Sequence, residues 1–153
     1  MKKIFVFGMS IMFLWSCNNS NKTSKTLQEA ETENHTENHQ AVNAGTIELN
    51  NGEKWLVNEE MKPFVLKGET LVNTYIQKDQ TDHKALAEQL KEQNSLLIKS
   101  CTMTGKSHDE LHNWLHPHLK IVKNLEDETD TEKANDIVLQ LQNSYQEYHE
   151  HFN

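Results

Sequence analysis

Cys101-Thr-Met-Thr-Gly-Lys-Ser-His-Asp-Glu-Leu-His112 is the stretch on which the reading of this chain turns. Apolar residues recur at helical spacing on both sides of it. Gly105 permits the backbone to reverse between them. Ser107, with Glu110 three residues later, has the form of a capping box, which starts a helix at about His108. The segment is therefore a corner between two helices, and a chain with such corners buries its apolar stripes by packing helix against helix.

Working outward, Leu86, Leu90, Leu97 and Cys101 share one stripe, supported by Ala87 and Ile98, so the spacing predicts a helix over 82–101 capped by Thr81 or Asp82. That register turns Cys101 inward. On the other side Leu111, Trp114, Leu115, His118, Ile121, Val122 and Leu125 predict a helix over 108–125. Pro117 frees the carbonyl of Asn113 and is expected to kink that helix or split it. Upstream, Met61, Phe64, Val65, Gly68, Leu71, Val72, Tyr75 and Ile76 predict a helix over 59–78, capped by Asn58. Gly68 on its buried stripe marks close approach by a neighbour, since glycine otherwise costs a helix about 1 kcal/mol. After the acidic connector 126–130, Thr129 or Asp130 caps a helix over 131–152, whose buried face holds Ala134, Ile137, Val138, Leu141, Tyr145, Tyr148 and Phe152. His149 and His151 suit the negative pole at its end.

Four amphipathic helices with short polar links give an all-α fold, an up-down-up-down four-helix bundle over 58–153. Three helices with the first loosely docked is the alternative. Ahead of the bundle, Thr46–Leu49 and Lys54–Val57 flank Asn50-Asn51-Gly52-Glu53, and Asn-Gly is the strongest short signal for a tight hairpin turn. A small β-hairpin over 46–57 is predicted, pinned to the helices by members of the set Ile47, Leu49, Trp55 and Val57.

The first 45 residues are of another kind. Met1-Lys-Lys followed by the apolar run from Ile4 to Trp15 has the length of a secretory signal and is too short for an ordinary membrane span. Leu14-Trp15-Ser16-Cys17 then resembles a bacterial lipobox, which implies cleavage after residue 16 and lipidation of Cys17. Residues 17–45 are polar, hold almost no large apolar side chains and read as a tether. Within it Glu33-Asn34-His35 is echoed by Glu37-Asn38-His39, read as solvated linker rather than a metal-collecting repeat.

The whole chain has 15 lysines, no arginine and 23 acidic residues, a net charge of −8. Losing Lys2 and Lys3 leaves 13 lysines against 23 acids, a charge of −10. Without arginine and with this sign, nucleic acid is not the expected partner; a basic protein of the cell envelope is. With Cys17 lipidated, Cys101 has no second cysteine to pair with. It is a small buried apolar residue, a metal ligand, or a thiol reactive towards a partner.

The chemistry of the chain is densest at that corner. His108 and His112 lie four apart, on one face of the predicted helix, and Gly105 lets Cys101 and Met103 fold back over its first turn. Cysteine with methionine suits monovalent copper, and cysteine with histidine suits zinc. Cys101, Met103, His108 and His112 are thus the candidate ligands, with His118 and His149 as further candidates. The competing reading has the two sulfurs filling core and the two imidazoles standing as polar residues at a helix start. No organic cofactor motif is visible. Nor is a Ser-His-acid order, a phosphate loop or a paired-carboxylate arrangement, so catalysis is not expected.

Taken together, the lipobox, the Asn/Ser-rich start after Cys17, the Asn-Gly turn and the Cys-Thr-Met-x-Gly-x-x-His-x-x-Leu-His segment resemble small helical-bundle lipoproteins of Bacteroidota. The resemblance implies architecture and place: a lipid-anchored protein on the extracytoplasmic side, at the outer membrane. It implies no activity. The expectation is an anchored bundle that binds copper or zinc for sequestration, sensing or delivery, with an envelope interaction module as the alternative.

Overall fold

The computed structural model describes residues 45–153. The expected signal sequence, Cys17, His35 and His39 lie outside the described residues. Four helices follow in order: α1 (Lys62–Gln77), α2 (His83–Ser100), α3 (Lys106–Asp127) and α4 (Thr131–His151). None of them is long and apolar enough to cross a membrane.

The links set the topology. Residues 78–82, 101–105 and 128–130 reach at most about 18 Å, whereas even α1 at 1.5 Å per residue is about 24 Å long. Each helix must therefore fold back along the one before it. Cross-contacts agree: His83 at the start of α2 bonds the carbonyl of Glu128 just past α3 at 3.0 Å, and Trp114 of α3 donates to the Ser144 carbonyl of α4 at 2.8 Å. Between α1 and α4, Glu69 meets His149 and Asn73 meets Gln142, with numbers running in opposite senses. The result is a four-helix bundle in which α4 closes against α1.

Apolar spacing explains which faces turn inward. Val65, Gly68, Val72 and Tyr75 of α1, Leu86, Ala87, Leu90 and Leu97 of α2, and Leu111, Trp114, Leu115, Val122 and Leu125 of α3 are all buried. Ala134, Val138, Leu141, Tyr145 and Tyr148 of α4 complete the core. Asp82 caps α2 by accepting from the Ala85 N–H, and Asp130 caps α4 through the N–H groups of Glu132 and Lys133, as their side chains lead one to expect. α3 continues through Pro117 to Asp127 without a break, so of the two expected outcomes, a kink or a split, the split does not occur.

Three local expectations are corrected. The helix at the corner starts earlier than the capping-box reading puts it: Gly105 is the N-cap at φ +69°, and Ser107 donates to the Thr104 carbonyl instead of capping. Asn58 does not cap α1, whose N-cap is Met61; its amide donates to the carbonyl of Ser100 and accepts from the N–H of Thr102, holding the end of α2. The Asn50–Glu53 turn closes as expected, with Asn51 and Gly52 both at positive φ, but no ladder extends from it. Trp55 instead pairs in parallel with Phe152 beyond α4, receiving the Asn153 N–H and donating its own to His151. The backbone of this segment is satisfied by the tail of the chain, so a self-contained ribbon has no partner strand left. Ile47 and Val57 are buried and Trp55 packs against the core, whereas Leu49 is exposed.

Candidate functional site

The residues of interest sit at one end of α3 and along its exposed edge. Gly105 supplies the left-handed backbone conformation that turns the chain into α3, and nothing crowds its α-carbon. Cys101 terminates α2 in an extended conformation and is half-buried. It and Met103 both pack against the core from the link between α2 and α3.

His108 and His112 come together as their spacing requires. Their ring centres are 4.3 Å apart, edge to face at 61°. His116 extends the row, with its ring centre 4.9 Å from that of His112 and at 63° to it. The four-residue spacing repeated twice brings it there: a side chain drifts only about 40° per such step, and a ring bridges that gap. All three are partly buried.

The two further candidates lie elsewhere. His118 is fully buried and faces α4, stacked on Trp114 at 4.8 Å and edge-on to Tyr145 at 4.8 Å. Its Nδ1 lies 3.0 Å from Ser144 Oγ, while Nε2 is buried without a partner. Burial holds its pKa down at about 4, so it is neutral at ordinary pH. His149 projects from α4 onto Glu69 of α1, 2.9 Å away. Neither joins the row on α3.

On the opposite, inner face of α3 stands Glu110, whose spacing from Ser107 suggests a capping box. Glu110 is 1% exposed and accepts from the backbone N–H of Glu48 at 3.0 Å and from Asn113 Nδ2 at 3.3 Å. Lys106 reaches it at 2.5 Å and stands 3.6 Å from Glu48. Burial alone would raise the pKa of Glu110, but Lys106 and these donors outweigh it and hold the carboxyl below its usual range. Glu110, Trp114 and His118 fall four apart on the inner face of α3, which is the pattern that marks this carboxylate as buried.

The arrangement offers imidazole nitrogens on one helix edge with a thiol and a thioether on the adjoining link. Among the described residues, no three His, Cys, Asp or Glu side chains gather as a group that could hold a metal ion. The row is a ladder in which His112 is common to two neighbouring pairs. No protein-family model, curated protein or solved structure matches the chain.

Proposed function

We propose that this chain is a lipid-anchored, extracytoplasmic four-helix bundle that binds copper or zinc at the histidine edge of α3. The observation that carries the reading is the separation of the rings. A nitrogen bound about 2.1 Å from an ion puts its ring centre about 3.2 Å from that ion, so two ligand rings have centres about 4.5–5.2 Å apart for angles from square to tetrahedral. His112 with His116, at 4.9 Å, falls in that range, and His108 with His112, at 4.3 Å, reaches it with a small side-chain adjustment. Imidazole donors suit zinc and divalent copper.

Each neighbouring pair is a two-nitrogen chelate that leaves open positions on the ion. Cys101 and Met103, on the link that leads into α3, are the sulfur donors nearest in sequence, and their entry would shift the preference towards monovalent copper. An ion with open positions suits delivery or sensing better than permanent structural use. Lipidation of Cys17 would hold the bundle at the membrane through residues 17–45.

The test is calorimetric titration of the protein with Zn(II), Cu(II) and, under reducing conditions, Cu(I). The reading expects one ion per chain, binding lost in the His108→Ala/His112→Ala variant, and a Cu(I) preference reduced in Cys101→Ala/Met103→Ala. Full binding in the double-histidine variant would remove it.

A further inference from the structure

We infer that the cleft between α2 and α3 binds a single-chain fatty carboxylate. The reading does not depend on the histidine row. The cleft measures about 360 Å³, within the range of about 300–1,000 Å³ typical of small-molecule sites. Its floor is apolar, formed by Ile98 of α2 with Leu119 and Val122 of α3.

The rest of the lining is polar: Asn94 and Ser95 with four charged side chains around them. Lys91 and Lys99, eight residues apart on α2, stand on one rim, and Lys123 with Glu126 on the other. Lys91 and Lys123 are already matched by Glu126, at 2.5 and 3.7 Å. Lys99 has no ion-pair partner among the described residues. A chain with a net charge of −8 thus keeps an excess of positive charge around one apolar cleft, and the unmatched cation defines the sign of the ligand.

Asn94 is the independent observation. It lines the cleft, is 4% exposed, and its Nδ2 is buried with no hydrogen-bond partner. A buried amide donor left unmet is unfavourable by an amount comparable to a lost hydrogen bond, and an apolar residue at this stripe position would avoid it. An oxygen entering the cleft would satisfy it after rotation of the amide. An apolar floor, one unmatched cation at the rim and one unmet donor in the wall describe a carboxylate with an aliphatic tail. The acyl chains of a lipidated Cys17 carry no free carboxylate and would leave Lys99 unmatched.

The experiment is a titration of the full chain with octanoate, followed by amide NMR shifts, with octanol and butyrate as controls for head and tail. Saturable shifts are expected at the backbone amides of α2 and α3 that line the cleft and at the side-chain amide of Asn94. Octanol and butyrate should each bind at least about tenfold more weakly, the loss expected on removing one charged contact or most of the tail. Lys99→Glu and Ile98→Glu, both at solvent-reachable positions, should weaken octanoate by a similar factor while leaving the circular dichroism unchanged. Absence of saturable shifts, shifts confined to other faces, equal binding of octanol, or indifference to Lys99→Glu would each overturn the proposal.

Discussion

Gly68 of α1 and Tyr145 of α4 touch so closely that a β-carbon built on the glycine would lie 2.2 Å from the tyrosine Oη and 3.1 Å from its Cζ. Tyr145 is buried against Trp114 and His118 and has nowhere to retreat. Gly68→Ala should therefore destabilise the bundle by about 1–3 kcal/mol through overpacking, even though alanine favours the helix by about 1 kcal/mol. Denaturant unfolding measures it. The penalty should shrink in a Tyr145→Phe background, which removes the oxygen; equal penalties in both backgrounds would contradict the contact.

That glycine was legible before any coordinates, because a Gly on an otherwise apolar stripe has few other uses. The four stripes were legible for the same reason, as were the caps to within one residue, Asp82 beside Thr81 and Asp130 beside Thr129: they depend on neighbours within one helical turn. What could not be read depends on residues far along the chain. Ser107 and Glu110 have capping-box spacing, yet Glu110 is claimed by the Glu48 N–H, 62 residues away, and Gly105 takes the cap. Asn58 has a cap's side chain and caps the other end of a different helix, 42 residues on. The flanks of the Asn50–Glu53 turn read as strands, yet among the described residues only Trp55 forms a bridge outside the turn, to Phe152 in the tail, which no local pattern announces. At the candidate site, the His108–His112 pair was legible from spacing, whereas the addition of His116 required knowing how far the rings reach across a turn.

Glu110 fastens the segment before α1 to α3. Removing it in Glu110→Ala frees the Glu48 N–H and Asn113, while Lys106, 58% exposed at its side chain, returns to water, so its share of the pair is screened. The expected cost is about 1–3 kcal/mol. Hydrogen exchange at the Glu48 amide should accelerate well beyond that of the α2 core amides. An unchanged exchange rate there would show that the carboxylate does not anchor the segment.

His118 gives the bundle a dependence on mild acid. Its folded pKa of about 4 lies below the ordinary value of 6.5, so the unfolded chain binds the extra proton between those values. The stabilisation is fully present above about pH 6.5 and is lost progressively down to about pH 4, for a total of about 3 kcal/mol. Glu110, with its lowered pKa, acts in a separate and more acidic window, contributing above its unfolded value and losing that contribution as the pH falls through its folded one. Unfolding followed in the presence of chelator from pH 7.5 to 4 should show the loss, and His118→Phe should flatten it. A His118→Phe profile that keeps the full slope would assign the effect elsewhere.

Cys17 is expected to carry lipid. Cells expressing the chain and fed a labelled fatty acid should yield a labelled protein in the membrane fraction, and Cys17→Ala should abolish both label and membrane association. Retention of label in that variant would refute acylation at this position.

The histidine edge of α3 is tested most directly by zinc titration in a His35→Ala/His39→Ala background, which removes the imidazoles of those two positions from the count. One ion per chain is expected, with affinity falling by at least about tenfold on His112→Ala, the member common to both pairs, and much less on His149→Ala. Zinc binding that is absent in the parent, or that survives His112→Ala at full strength, would contradict the account.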